Sequence, residues 1–304
     1  MDIAGILFKQ NVIMLVYLVI GFWLYKRKMV TKTGSAEIGK LLLNVIMPVA
    51  IVKSYIRDYS GELRAQLGVS FLLSLLSLVL AILISSLFFN KDKAVRRFGA
   101  AFSNAGFIGI PLIQATLGDH AVFYVASFVA LLNILQWTYG VYQMTRDRNA
   151  VSFAKIRTNP IVISFLIGLL LFFLPVKVPD AAMGVLGTIA AMNGPLAMIV
   201  LGTYLAQIRL TDLFTDKQTY LCTAVRLLVI PAATMLMLCL VPEKYSEIRM
   251  AILLVASAPV GSNVGIFAQL YNKEYKDAVK DVCLSTIAGI LTMPVVLGVA
   301  NMIW

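Results

Sequence analysis

Charged residues, histidine and cysteine are all scarce in this chain of 304 residues. Only 13% of the residues are Asp, Glu, Lys or Arg, whereas soluble domains average about 25%. Apolar residues make up 60%, more than a soluble core would be expected to bury. One histidine and three cysteines offer little for a metal cluster or a disulfide scaffold. These shortages exclude a soluble enzyme and a secreted disulfide-rich domain, and they indicate an all-α integral membrane protein.

Motifs of intramembrane catalysis are missing as well. The sequence has no HExxH motif, no pair of aspartates within an apolar run and no Walker A motif. A single histidine is a poor basis for a serine–histidine dyad. We therefore expect a protein that is not an enzyme and that needs no cofactor and no metal.

Long apolar runs dominate what is present. At about 20 residues per span, the chain accommodates ten transmembrane helices. The predicted segments are 5–25, 38–56, 67–89, 97–117, 120–144, 159–175, 180–207, 217–240, 249–270 and 280–303. The first run has no basic region before it and no small-residue cleavage site, so we expect a retained span and no signal peptide.

The net charge of +11 comes from basic residues in short loops between the apolar runs. Eighteen of the 26 lysines and arginines lie at one side of the predicted membrane, in the loops within 26–40, 91–97, 146–157, 209–217 and 273–280, and six lie at the other. This asymmetry fits the positive-inside rule better than nucleic-acid binding. It predicts a plasma-membrane protein with the richer side in the cytoplasm and both termini extracytoplasmic.

The two halves of the chain, 1–150 and 151–304, carry similar motifs. Ser103-Asn104-Ala105-Gly106-Phe107 in the fourth segment resembles Ser262-Asn263-Val264-Gly265-Ile266 in the ninth. Each half holds an odd number of spans, so similar halves must have opposite orientations in the bilayer. Inverted repeats with matched interruptions are typical of secondary transporters. The sequence therefore predicts two inverted five-helix repeats.

Glycine and proline interrupt the fourth and ninth segments. Gly106, Gly109 and Pro111 fall in the fourth, and Pro259, Gly261 and Gly265 fall in the ninth. Proline removes a backbone donor from a helix, and a break in mid-membrane is tolerated only where it faces protein or a watery cavity. Freed N–H groups at a half-helix N-terminus attract anions. Two such breaks would form an anion site without a charged side chain, although close helix packing and simple kinks explain the same residues.

Polar residues in and near the interruptions are the candidate ligands of such an anion. The candidate substrate-binding residues are Asn44, Ser103, Asn104, Gly106, Asn193, Ser262, Asn263 and Gly265. Arg226 is an ionisable group within a span, and two interpretations stay open: a counter-charge for the anion, or a side chain that snorkels to the interface. No acidic residue lies in the middle of a span. An antiporter usually keeps such a carboxylate, but backbone carbonyls could hold sodium instead, so the coupling ion stays open.

The motifs FSNAGFIGIPL in the fourth segment and ASAPVGSNVGIFAQLY in the ninth resemble the auxin efflux carrier family, as do NVIMP in the second and LTMPVVLG in the last. That family includes plant auxin exporters and bacterial permeases for malate or malonate. The resemblance implies an NhaA-like fold in which broken helices four and nine cross near Pro111 and Pro259. It implies a scaffold of spans 1, 2, 6 and 7, a moving transport domain of spans 3–5 and 8–10, and a homodimer. The long cytoplasmic loop of many plant members is missing, which is typical of a compact prokaryotic form.

Two classes of function follow. The first is a secondary carrier of small organic anions, such as malate, malonate or auxin-like acids, with an elevator-type movement. A sodium-coupled symporter of the bile-acid type is the alternative among carriers. The second class is a membrane sensor that binds its ligand without transport.

Overall fold

The computed structural model describes residues 3–57, 60–174, 178–207 and 209–304; residue 175, the last of the sixth predicted segment, lies outside these ranges. The described residues form helices without a β-strand. The long helices are α1 (Ile3–Lys26), α2 (Lys32–Tyr55), α3 (Gly61–Phe88), α6 (Asp119–Thr145), α8 (Pro160–Phe173), α9 (Asp180–Leu205), α11 (Lys217–Leu238) and α14 (Tyr275–Ile303). The shorter helices are α4 (Ala94–Ala101), α5 (Ala105–Thr116), α7 (Phe153–Arg157), α10 (Leu210–Leu213), α12 (Ser246–Ala256) and α13 (Asn263–Leu270).

Six helices in the described ranges are long and apolar enough to cross a bilayer, namely α2, α3, α6, α9, α11 and α14. Each of the ten apolar segments predicted from the sequence contains helix. The all-α membrane fold is thus consistent with the sequence analysis, whereas the count of ten spans and their inverted-repeat arrangement stay predictions.

Side-chain caps mark where several helices begin. Ser60 accepts a hydrogen bond from the backbone N–H of Leu63 at the start of α3. Thr31, Asn159 and Asp216 play the same part before α2, α8 and α11. A cap satisfies one of the backbone donors that the first helical turn leaves free. These boundaries are therefore encoded by the local sequence.

Three helices contain a π-helical turn that ends two positions before a proline. The turns are Leu42–Ile46 in α2, Ala105–Gly109 in α5 and Val225–Val229 in α11, and the prolines that follow are Pro48, Pro111 and Pro231. A proline ring cannot donate to the carbonyl four residues earlier and collides with it in an ideal α-helix. The wider turn accommodates the proline without ending the helix.

The helices pack in two groups, which also contact each other, chiefly through α1 and α14. In one, α1 lies against α9 through glycines: a Cβ on Gly21 would be 2.0 Å from the carbonyl oxygen of Ile199, and one on Gly202 would be 2.0 Å from that of Leu18. Helices α2 and α8 pack beside this pair, with Gly168 against the ring of Tyr55. In the other group, α3, α6, α11, α12 and α14 surround α4, α5 and α13. Small residues allow this close approach of helices in the absence of a hydrophobic force.

Candidate functional site

Two helix breaks cross at the centre of the second group. Helix α4 ends at Ala101, and α12 ends at Ala256. The extended segments that follow form an antiparallel bridge between Ser103 and Val260. The backbone N–H of Asn104 donates to the carbonyl of Pro259 at 2.7 Å, and that of Gly261 donates to Phe102 at 2.9 Å. Each break thus supplies the backbone partners that the other lacks, which meets the requirement for buried peptide groups.

The crossing leaves little room for a side chain at one glycine. A Cβ on Gly261 would lie 3.0 Å from the carbonyl oxygen of Ser103 and 3.1 Å from that of Phe102. Both neighbours are backbone atoms, so they cannot change rotamer as a side chain could. Helix α14 also supports the crossing, because the hydroxyl of Ser285 accepts a hydrogen bond from the backbone N–H of Val260 at 3.1 Å.

Two half-helices begin at the crossing, and polar side chains gather at their first residues. Helix α5 starts directly after Asn104, and Ser262 is the residue before α13. A cavity of about 30 Å³, the crossover cavity, is lined by Ser103, Asn104, Gly106, Gly261, Ser262, Asn263, Asn133 and five apolar residues. Among the residues that the structure describes, none with an acidic side chain lines it. The N-terminal ends of two helices therefore face a small polar cavity without a compensating negative charge.

Several buried polar atoms around this cavity have no hydrogen-bond partner within the protein. Ser103 Oγ and Asn104 Nδ2 belong to residues that line it. Gln136 Nε2 and Asn193 Oδ1 belong to side chains that bond the lining residues Asn263 and Gly106. Asn263 Nδ2 donates to Gln136 Oε1 at 3.0 Å, so α6 also contributes a side chain to the site. Buried polar groups in proteins are nearly always satisfied, so four such atoms around one cavity mark a place where a polar ligand or water can bind.

Arg226 lies behind the crossing and is bonded to the ends of both broken helices. Its side chain is 1% exposed. The guanidinium donates to the carbonyls of Ala100 at 3.0 Å and Ala101 at 3.3 Å, and also to that of Ala256. These are the last residues of α4 and α12. Arg226 is buried within the protein and does not line the crossover cavity; it caps two helix C-termini.

The remaining predicted residues are divided between the crossing and its surroundings. Asn193 Nδ2 donates to the carbonyl of Gly106 at 3.2 Å, which links α9 to the first break. Pro259 lies in the second break, whereas Pro111 lies within α5 and beside Gly194 of α9. Asn44 is exposed and lines neither the crossover cavity nor its larger neighbour. Its helix contributes Leu43 and Met47 instead.

A larger cavity of about 270 Å³, the basic cavity, adjoins the crossover cavity, and both are lined by Leu43, Phe107 and Ser262. Its walls are mainly apolar and aromatic. Tyr204 and Tyr275 line it, as do Gly265, the α2 lysines Lys32 and Lys40, and the glutamines Gln207 and Gln269. Sequence reasoning assigned the two lysines only to a basic loop and missed their place in a cavity. Their spacing of eight residues along one helix was the available signal.

The opposite end of α2 carries a different set of contacts. Lys53 Nζ lies 2.6 Å from Asp119 Oδ2, and Arg57 donates to the carbonyl of His120 at 3.0 Å. His120 also contacts Glu247 at 2.5 Å. Lys53 joins α2 to the first turn of α6, and His120 joins that turn to α12. A further cavity of about 190 Å³ lies here, and no residue of the crossing lines it.

One carboxylate is fully buried, which sequence reasoning did not anticipate. Asp281 of α14 lies 3.1 Å from Arg96 of α4, which also contacts Asp277 at 3.0 Å and Asp216. Burial acts to raise the pKa of Asp216, but hydrogen bonds from the Gln218 backbone and from Arg96 outweigh it and hold this pKa below its usual value. The cluster links α4 to α14 and to the residue that caps the start of α11.

Helices interrupted at a shared crossing, within a highly apolar all-helical chain, define a membrane protein of the transporter class. The model of the membrane transport protein family, which is the auxin efflux carrier family, matches residues 6–297. The chain belongs to this family and is a membrane transporter.

Relatives in enteric bacteria are similar to this chain over almost its whole length. The uncharacterized transporter YfdV of Escherichia coli strain K12 is 21% identical over 311 residues, covering 95% of this chain and 96% of the relative. The YfdV proteins of Escherichia coli O157:H7 and Shigella flexneri give the same identity and coverage. The similarity therefore extends over the whole transporter and is not confined to the two motifs.

Proposed function

We propose that the protein is a secondary carrier of small organic anions and that the anionic group binds at the crossing of the two breaks. The observation that carries this proposal is the pair of half-helix N-termini at a cavity that no acidic side chain lines. Helix N-termini bind anions through free N–H groups and the helix dipole. The unpartnered amide of Asn104 and hydroxyl of Ser103 supply directional hydrogen bonds for a carboxylate.

The body of the substrate would occupy the basic cavity. The crossover cavity, at about 30 Å³, has room for about one water molecule and is too small for a whole organic acid. The basic cavity is about nine times larger at about 270 Å³ and shares Ser262 with it. Its aromatic walls suit an apolar body, and Lys32 and Lys40 make its entrance attractive to anions.

Alternating access requires that the site open to one side at a time. The basic cavity is lined by Lys32 and Lys40 at one end of α2, while Lys53 and Asp119 are paired at the other end. We assign the Lys32 end to the cytoplasm because of the positive-inside rule, with both termini outside in the plasma membrane. The α1, α2, α8 and α9 group would be the fixed scaffold and dimer contact, and the other group would move in an elevator-type step.

Uptake of labelled carboxylates into proteoliposomes tests this function. The panel contains malate, malonate and indole-3-acetate, each with and without sodium and a pH gradient. Flux of one acid that needs no sodium supports the carrier as proposed. Flux that depends on sodium would instead support a symporter of the bile-acid type. Binding without flux would favour a membrane sensor, and a lack of both would refute the carrier.

A further inference from the structure

We propose that Arg226 is the residue that makes the crossing selective for anions, although it does not contact the substrate. It would act by neutralising the carbonyl ends of both broken helices, so that their N-terminal ends alone determine the local potential. This inference rests on the proposed function and names the positioning residue of that same site.

The geometry separates Arg226 from a direct ligand. Its guanidinium donates to three carbonyls, two at the end of α4 and one at the end of α12. It lines neither the crossover cavity nor the basic cavity. Arg226 therefore makes no direct contact with an anion in either cavity, and its bonds go to the two helix ends that it caps.

The charges at the crossing show why the cap matters. Four half-helix ends meet there: the C-termini of α4 and α12 and the N-termini of α5 and α13. Each end carries about half an elementary charge. The two C-termini together amount to about one negative charge, which one guanidinium balances. The two N-termini, about one positive charge in total, are left uncompensated. Without Arg226 the four ends would nearly cancel.

A thiol reporter measures this potential without any knowledge of the substrate. Ser262→Cys places a thiol at the start of α13, on the wall of the basic cavity. Cys283, which lines the same cavity, and the exposed Cys239 are first replaced by alanine. The rate of alkylation by iodoacetamide between pH 5 and 10 then gives the thiol pKa. Gln269→Cys is the matched control, since Gln269 lines the same cavity near the other end of α13.

Arg226→Gln is expected to raise the pKa of the thiol at position 262 by about one unit, a tenfold change in proton affinity. Arg226→Lys keeps the charge and should recover most of that shift. The control thiol at position 269 should change by less than a third as much. This pattern would support an electrostatic role, because a purely structural role would not depend on the charge at position 226.

An unchanged pKa at position 262 in a folded Arg226→Gln protein would overturn the proposal, and so would an equal shift at both positions. If Arg226→Gln does not fold, Arg226→Lys decides: a pKa raised by a full unit despite the retained charge contradicts the proposal, and a value near that of the parent supports it. The thiol titration uses no substrate, so its failure is distinct from a failure of the flux assay.

Discussion

Lys53 of α2 and Asp119 at the start of α6 form an ion pair of 2.6 Å at the end of the molecule opposite the basic cavity. The pair joins the two groups of helices at the end whose cavity is lined by none of the described residues of the crossing. If the second group moves during transport, this contact breaks in every cycle. On the proposed mechanism, Lys53 and Asp119 would stabilise one of the two access states.

Lys53→Gln is predicted to favour the state that opens at the Asp119 end. Exposed ion pairs contribute about 0–1 kcal/mol, so the population should shift by about fivefold at most. Alkylation of a thiol introduced by Ser54→Cys, which lines the cavity at that end, measures the shift. Asp119→Asn should act in the same direction. Arg64→Gln, on α3 at the same end, is the control. An equal effect of this variant would show that the Lys53–Asp119 pair has no specific role.

Asn104→Ala is predicted to reduce transport by about tenfold or more, because a hydrogen bond to a charged group is worth about 1.5–3 kcal/mol. The amide nitrogen of Asn104 has no partner within the protein, so thermal stability should hardly change. Asn263→Ala should also abolish transport, with a small loss of stability from its bond to Gln136. Asn44→Ala is the matched control, since Asn44 is exposed. Normal flux in both variants would show that these side chains at the crossing do not bind the substrate.

Lys40→Gln is predicted to raise KM by about twofold to fivefold and to leave kcat unchanged. Lys40 would attract the anion at the entrance of the basic cavity without contacting the crossing where the anionic group binds. The effect should disappear at high salt, where exposed charges are screened. Flux measured at two ionic strengths provides the test. Lys91→Gln, in another basic loop, should have no effect on KM. A change that persists in high salt would point to direct contact with the substrate.

Gly261→Ala is predicted to destabilise the protein by about 1–3 kcal/mol and to stop transport, since overpacking against rigid neighbours has this cost. The added carbon would meet backbone oxygens of Ser103 and Phe102. Gly289→Ala adds a carbon in ordinary contact with Pro259 at 3.7 Å, and it should be neutral or stabilising in α14. Thermal melting and flux of both variants test the difference. Equal melting temperatures would mean that the crossing is looser than the backbone distances indicate.

The sequence alone predicted the helical segments and the two breaks. Apolar runs long enough for a bilayer locate the helices, and paired glycines and prolines locate Asn104 and Asn263 beside interruptions. Irregular backbone geometry prevented the sequence from predicting which way some side chains face. The π turn at Leu42–Ile46 adds a residue to one turn of α2, so a 3.6-residue period does not tell which face Asn44 occupies.

The partners of Arg226 could not be predicted for a different reason. Its hydrogen bonds go to backbone carbonyls 126 and 30 residues away, and a carbonyl carries no signal in the residue type. The same holds for the place of Lys32 and Lys40 in the basic cavity, because its far wall comes from α13 and α14. Contacts distant in the chain decide these positions, and local patterns do not encode them.

The bridge between Ser103 and Val260 also makes the folding of the first half of the chain depend on the second half. During synthesis the first break reaches the membrane about half a chain length before the second. Until then the carbonyl of Phe102 and the N–H of Asn104 lack the partners that they have in the finished molecule. The first half of the chain therefore cannot complete its own crossing, and insertion of the second half is a folding step for both.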